Sequence, residues 1–297
     1  MSIIEQIVNG ILLGSSYSLI AIGFSVIFGI LRLFNMAHGE VLMVSSFMGT
    51  FLLLLLQGES FIFLTLALLT AICAGAILSI LVEGIAFRPL RKAPEFSPLI
   101  ATLGIAIFLE DFFFILTKKL RLFKATITTF PNPLDLAGFT IGGVYIRSVY
   151  LVSFLVALIL MITIHVIVQK TKTGRGMRAL TEHPTGARLM GVKVDSTIRL
   201  TFMLAGGLAG AAGMLLAIVN SAFDVKLGGM ATLIGLVVMI LGGMGSIIGA
   251  MVGGLVFGII QTTSSYFWET SYRDIVAFGL LFLILIFKPE GLFGTRQ

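Results

Sequence analysis

The sequence predicts an all-α polytopic membrane protein with about eight or nine transmembrane helices. Hydrophobic residues make up 58% of the 297 positions and charged residues only 11%, whereas about a quarter of the residues in a soluble domain are charged. Apolar segments of about 20 residues, the length that crosses a bilayer, recur along the chain. Most of the 34 glycines lie inside these segments, where small residues allow close helix packing or local breaks. We therefore expect one membrane domain over residues 1–297.

Nine apolar segments account for the predicted helices. In the first, Gly10, Gly14 and Ser18 place small residues on one face, so that a neighbouring backbone can approach closely. The seventh has only about 12 apolar residues, which indicates either a short span or a half-helix with broken ends. Turn residues and short β-like runs in residues 117–148 predict a small hairpin on the membrane surface. The predicted segments are 7–30, 37–56, 61–82, 97–116, 149–168, 200–219, 230–241, 247–263 and 275–287.

The longest strongly polar run, residues 169–199, sets the predicted orientation. It carries seven Lys or Arg against two acids between two spans, and positive charge next to a span is retained on the cytoplasmic side. Alternating spans then put the N-terminus outside, the C-terminus in the cytoplasm and the hairpin in the periplasm. This orientation places 13 of the 20 basic residues inside. Five of the other seven lie in the 117–148 loop, which weakens the assignment without reversing it.

A short helix is predicted inside this cytoplasmic loop. His183 and Pro184 are typical of a helix start, and Gly191 is typical of the residue just past a helix end. The resulting helix of about two turns is too short to be stable alone. We expect it to be exposed on the inner face, and its apolar residues Ala187, Leu189 and Met190 with the basic Arg188 favour contact with a partner protein. A solvated linker is the alternative interpretation.

Two further stretches point to a translocation path. Ionisable residues at the edge of the second span are energetically costly and tend to line water-filled paths, although a helix cap and interface anchor would need the same residue types. The break between the seventh and eighth segments combines Gly with polarity beside apolar spans, and unwound backbone at membrane depth is tolerated where it lines a cavity or is buried in protein. Gly245, Gly249 and Gly253 also form a predicted helix-packing pattern. The predicted path residues are Asn35, His38, Gly39, Glu40, Gly242, Gly243, Gly245 and Ser246.

The residues that an ATPase, a metalloprotein or an enzyme would need are not visible in the sequence. No G-x-x-x-x-G-K-[ST] motif is present to hold ATP phosphates, so any ATP and Mg²⁺ belong to partner chains. Three scattered histidines and one cysteine do not have the spacing of a metal site. No nucleophile with a positioned base is visible, so we expect no catalytic residues. The basic residues lie in loops between spans, which the orientation rule explains without nucleic acid.

Several of these stretches resemble one known family. Four stretches are similar to LivH-type permease subunits of branched-chain amino acid ABC importers: GSSYSLIAIGFSVIFGILRLFNMAHGEVLMV, EGIAFRPLRKAPEFSPLIATLGIAIFLED, GRGMRALTEHPTGARLMGVKVDSTIRLTFMLAGGLAGAAGMLL, and LGGMGSIIGAMVGGLVFGI with the tail KPEGLFG. The similarity covers nearly the whole chain, and the FN-x-AHGE and LGG-x-GS-x-x-GA blocks are its specific parts. HPTGA after Glu182 departs from the family, which often has a more charged helix start there.

The resemblance implies a bacterial inner-membrane subunit with several partners. These are a second permease subunit that completes a hetero- or homodimeric pore, two cytoplasmic ATPases and a periplasmic or extracellular binding protein. The basic loop would contain the coupling helix that docks on the ATPase. The implied coupling residues are Thr181, Glu182, His183, Pro184, Ala187, Arg188, Leu189, Met190 and Gly191.

The function predicted from these observations is inward translocation of branched-chain amino acids, driven by ATP hydrolysis on the partner ATPases. Permeases of the same family that handle urea or short amides are one alternative. A second alternative, of a different class, is an ion-coupled carrier that uses His38 and Glu40 as its proton or cation site. The chain has almost no acids at mid-membrane depth away from span ends, which favours the ABC permease.

Overall fold

The computed structural model confirms an almost entirely helical membrane protein. It describes residues 3–56, 61–91, 93–94, 96–120, 127–129, 138–141, 144–267 and 272–294. Within this part of the chain, seven helices are long and apolar enough to cross a membrane, and a helix occupies each of the nine predicted segments. The helices are α1 (Ile3–Leu31), α2 (His38–Leu56), α3 (Phe61–Val82), α4 (Arg88–Leu90), α5 (Phe96–Leu120), α6 (Ser148–Lys170), α7 (Lys172–Glu182), α8 (Pro184–Leu189), α9 (Val194–Asn220), α10 (Leu227–Gly242), α11 (Ile247–Phe267) and α12 (Arg273–Phe287).

Helices α1 and α9 form the centre of the protein. Their apolar stretches are 89% and 83% buried, against 22% for the spans of α3 and α5. Helix α1 packs along α11 and against α9, and α9 also packs against α2 and α3. Helices α3 and α5 therefore lie at the periphery, where their apolar side chains face outward.

Small residues bring α1 and α11 into close contact. A Cβ atom built on Gly14 would lie 2.6 Å from the carbonyl oxygen of Gly254, and the hydroxyl of Ser18 donates to the carbonyl of Met251 at 2.7 Å. The predicted small face of the first helix is therefore confirmed. The predicted packing pattern is wrong at Gly245, which lies in the turn before α11 with a φ of 84°.

Four short strands lie in the loops. β2 (Phe139–Ile141) and β3 (Val144–Ile146) form an antiparallel hairpin, as predicted. β1 (Ile127–Thr129) pairs instead with β4 (Ala222–Asp224) in the loop after α9. This second pairing places the two loops on the same side of the helices. Other parts of the predicted hairpin loop, residues 121–126 and 130–137, lie outside the described residues.

An ion-pair cluster joins the ends of α3 and α9. Helix α3 continues into a π-helical turn, Glu83–Phe87, and the buried carboxylate of Glu83 accepts from Arg91 at 2.6 Å. Arg91 also pairs with Asp195 in the first turn of α9. A buried carboxylate requires such a partner, because its desolvation is otherwise uncompensated. The basic loop predicted around Arg91 is thus held against α9.

Candidate functional site

Helix α2 begins inside the protein rather than at its surface. A Cβ atom built on Gly23 would lie 2.4 Å from Nε2 of His38, the first residue of α2, and 3.3 Å from the carbonyl oxygen of Ala205. Gly23 lies eight residues before the end of α1 at Leu31, which is about 12 Å along the helix. The segment 32–37 therefore turns back into the protein, and α2 starts near the middle of α1 and α9.

Side chains satisfy part of the backbone of this re-entrant segment. The amide of Ala37 donates to Oδ1 of Asn35 at 3.2 Å, and the amide of Met36 donates to the hydroxyl of Thr102 on α5 at 3.2 Å. Asn35 is 1% exposed. Non-helical backbone at this depth requires such partners, because no water is available to replace them.

His38 is enclosed by α1. Its ring is fully buried and lies edge-on to Phe24, with 4.5 Å between ring centroids. An imidazole in an apolar cage packs as a small aromatic ring while retaining two polar nitrogens. It therefore couples the start of α2 to the middle of α1.

Glu40 and Gly39 join α2 to α10. A Cβ atom on Gly39 would lie 2.0 Å from the carbonyl oxygen of Gly228, and one on Gly228 would lie 2.2 Å from Oε2 of Glu40. Both glycines are thus required for the close approach of the two helices. Glu40 and Gly228 lie in the first turns of α2 and α10, and a carboxylate is favourable near helix N-termini.

The predicted break between α10 and α11 is a tight turn at residues 243–246. Gly243 and Gly245 have φ angles of 106° and 84°, which favour glycine. The amide of Ser246 donates to the carbonyl of Gly243 at 3.0 Å, and the Ser246 hydroxyl accepts from the amide of Gly249 at 3.0 Å, so that it caps α11. Ser25 of α1 also donates to the Ser246 carbonyl at 3.3 Å. The two groups of predicted path residues therefore contact neighbouring turns of α1.

The C-terminal tail completes this turn. The amide of Leu292 donates to the carbonyl of Leu241 at 2.7 Å, and the amide of Phe293 donates to the carbonyl of Gly242 at 3.0 Å. These carbonyls belong to the last turn of α10, which has no partners for them within the helix. Sequence reasoning missed this cap, although the glycines of KPEGLFG were a signal of irregular backbone.

Truncation after Lys288 should lower the thermal stability of the protein. It removes both amide donors, and each buried carbonyl left without a partner costs about 1–3 kcal/mol. Truncation after Gly294, which retains both donors, is the matched control. The measurement is the unfolding midpoint of the detergent-solubilised chain, and equal midpoints for the two truncations would contradict the capping role.

The polar run 169–199 contains two helices rather than one. The predicted short helix is confirmed as α8: the imidazole Nδ1 of His183 accepts from the amide of Gly186 at 3.2 Å, Pro184 is its first residue, and Gly191 follows its end with a φ of 84°. Ala187 is buried, whereas Leu189 and Met190 are 84% and 86% exposed. Two large apolar side chains thus project from a capped helix.

Helix α7, which the sequence reasoning missed, anchors α8 to the membrane domain. Its buried Met177 and Leu180 face the protein, and a Cβ atom on Gly174 would lie 2.1 Å from the carbonyl oxygen of Val168. The guanidinium of Arg178 donates to the carbonyls of Val168 and Gln169 at the end of α6. Arg178 therefore acts as a cap for α6, and the strong amphipathic pattern of α7 was the signal for this helix.

A cavity of about 330 Å³ is lined by part of each of the two predicted sites. It is lined by Thr181 and Glu182 of the predicted coupling segment and by Gly245 and Ser246 of the predicted path, together with residues of α1 and α6. Asn35, His38, Gly39 and Glu40 lie elsewhere, packed among α1, α2 and α10. Within the described residues, no three His, Cys, Asp or Glu side chains are grouped as a metal site requires.

These features describe a multi-pass membrane protein with a helix that begins inside the protein and an exposed helical segment on one face. A family described as "Branched-chain amino acid transport system / permease component" matches residues 6–285. The chain belongs to this family, and it is a permease subunit of an ABC transporter.

Several named relatives are similar over nearly the whole chain. The high-affinity branched-chain amino acid transport system permease protein BraD of Pseudomonas aeruginosa is 33% identical, over 99% of this chain and 96% of the relative. The corresponding protein LivH of Escherichia coli is 32% identical over the same shares. A probable LivH of Methanocaldococcus jannaschii is 27% identical, over 93% of this chain and 88% of its own.

Proposed function

We propose that this chain is the translocation subunit of an ATP-driven importer for branched-chain amino acids. The single observation that carries the proposal is the capped helix α8. Its Ala187 packs against the protein, whereas Leu189 and Met190 are 84% and 86% exposed. Because the chain has no phosphate-binding loop of its own, any ATP that drives transport would be hydrolysed on a partner. A short helix with two exposed apolar residues provides the surface that such a partner can hold.

The substrate class rests on the relatives. Those named for branched-chain amino acids match over nearly their full lengths, and the apolar helices around the path suit a substrate with an aliphatic side chain. The second permease subunit, the two ATPases and the external binding protein are proposed on the same ground. ATP and Mg²⁺ would be bound on the ATPases, and the loaded binding protein and ATP would bias the conformational equilibrium through their different affinities for its states.

The direct test is uptake by proteoliposomes. They would contain this chain together with the permease, ATPase and binding-protein products of neighbouring genes, and labelled L-leucine would be supplied outside with ATP inside. We expect uptake that requires ATP, the ATPases and the binding protein. Uptake by this chain alone, driven by a proton or sodium gradient, would instead establish an ion-coupled carrier.

The orientation can be tested with single cysteines. In a chain whose Cys73 is replaced, Thr185→Cys in α8 should resist an impermeant thiol reagent applied to intact cells, because residues 169–199 are proposed to be cytoplasmic. Lys226→Cys, an exposed position next to β4 on the opposite side, should react. The reverse labelling pattern would overturn the orientation, and with it the cytoplasmic C-terminus.

The proposed path predicts the effect of removing the buried imidazole. His38→Ala should reduce the initial rate of uptake several-fold with little change in substrate preference, because the ring couples the start of α2 to α1. Phe108→Ala, on the exposed face of α5, is a control for the loss of an aromatic ring. A changed ratio of leucine to alanine uptake at normal rate would indicate that His38 belongs to a binding site instead.

A further inference from the structure

The cavity between α1, α6, α7 and the start of α11 has two kinds of wall. Val26, Ile30, Met177 and Ile247 provide apolar surface, and polar side chains of α6 and α7 face the same space. Small-molecule sites in proteins combine apolar walls with a few placed polar groups in this way. At about 330 Å³, the cavity is at the lower end of their sizes, which suits a ligand of few heavy atoms.

An acid and a base of α7 line this cavity without pairing. Arg178 and Glu182 are four residues apart and therefore lie on one face of the helix. The hydrogen bonds of Arg178 within the described part of the chain all use Nη1 and go to Val168 and Gln169, whereas a guanidinium has five N–H donors. Among the described residues, the ion pairs do not include Glu182. The cavity wall that α7 provides therefore carries one positive and one negative group that can bind a ligand.

A third polar group lies in the wall that α6 provides. Nδ1 of His165 on α6 is buried and makes no hydrogen bond to any described residue. A buried polar nitrogen without a partner costs about 1–3 kcal/mol, and a polar ligand in the cavity would provide one. This observation is independent of the charges on α7.

We propose that this cavity binds a free α-amino acid as its zwitterion. Arg178 would donate to the carboxylate, Glu182 would accept from the ammonium group, and Val26, Ile30 and Met177 would contact an aliphatic side chain. The proposal rests on the proposed function for the side of the membrane and for the substrate class. The ligand would reach the site from the cytoplasm, as the product of transport.

The position of the cavity gives this ligand a consequence for transport. The bound ligand would contact α7, which leads directly into α8. It would also contact the turn at Gly245 and Ser246, which are two of the predicted path residues. An occupied cavity would hold these two parts together, whereas alternating access in transporters generally proceeds by movement of one helix bundle against another. Accumulated product is therefore expected to slow further import.

Binding to the purified full-length chain in lipid nanodiscs tests the site directly. We expect saturable binding of labelled L-leucine, and competition by L-leucinamide and by 4-methylpentanoate that is weaker by about tenfold or more, since each lacks one charged group and a hydrogen bond to a charge contributes about 1.5–3 kcal/mol. Glu182→Gln should weaken leucine binding without weakening that of 4-methylpentanoate. Arg175→Gln, an exposed change on α7 outside the cavity, should leave both unchanged.

Glu182→Gln is the informative variant. Arg178→Gln would be ambiguous, because it removes the cap of α6 as well as the proposed contact with the ligand. A diazirine analogue of leucine should label peptides of α6 and α7, and this labelling should be competed by L-leucine. The proposal would be overturned by any of three results. These are a chain that shows no saturable binding of L-leucine, competition by L-leucinamide and 4-methylpentanoate that is as strong as that by L-leucine, or a label that is confined to α2 and α10.

Uptake by the complete transporter separates this proposal from the proposed function. ATP-driven leucine uptake that is slowed by L-leucine preloaded inside the vesicles, but not by 4-methylpentanoate, supports both. Uptake without leucine binding to the chain refutes only the cavity site. Leucine binding that depends on Glu182, in a transporter that does not import leucine, refutes only the proposed substrate.

Discussion

Replacing Leu189 and Met190 together with Asp is expected to abolish ATP-driven uptake while the protein still inserts into the membrane. Both side chains are almost fully exposed, so the substitutions leave the core of the permease intact. Truncating one residue at the centre of an interface can cost about 1–2 kcal/mol, and burying two carboxylates there adds a desolvation cost. ATPase binding should therefore weaken at least about tenfold.

The control for this experiment is an exchange of the two side chains. Leu189→Met with Met190→Leu keeps the apolar surface and should retain both uptake and co-purification of the ATPase. The measurements are leucine uptake and recovery of the ATPase on the tagged permease. If the Asp variant retains both, α8 is a solvated linker and the coupling segment lies elsewhere.

The second large effect is expected at the turn between α10 and α11. Gly243→Leu should reduce uptake to near background, because Gly243 has a φ of 106° and a Cβ atom there would lie 2.6 Å from the backbone nitrogen of Gly294. Strained backbone of this kind costs about 1–3 kcal/mol, and the overlap would also displace the tail that caps α10. Transport is measured as the initial rate of leucine uptake at equal amounts of inserted protein.

A leucine at Gly229 is the matched control for this change. Gly229 lies in α10, and a Cβ atom built on it meets no heavy atom within 4 Å. Gly229→Leu should therefore keep most of the wild-type rate. The residual uptake of Gly243→Leu should retain its preference for leucine over alanine. Normal uptake by this variant would show that the turn is not needed for translocation.

Local sequence patterns determined the positions of the helices and several of their ends. Runs of apolar residues of membrane length mark the spans wherever the surroundings are lipid or protein, and all nine predicted segments are helical. The ends of α8 at His183 and Gly191 were also readable, because capping depends on residues three or four positions apart. Likewise, a Gly-rich break is a local property of the backbone, and the turn at 243–246 lies where it was predicted.

Only the tertiary structure decided how these helices are placed relative to one another. The depth at which α2 begins depends on the contact of His38 with Gly23, and the pairing of β1 with β4 joins loops that are far apart in the chain. The tail caps α10 through amides of Leu292 and Phe293, and the cavity beside α7 requires four separate segments. Apolar periodicity carries no information on such partners, since every face of a buried membrane helix is apolar, and small residues permit close approach without specifying to which helix.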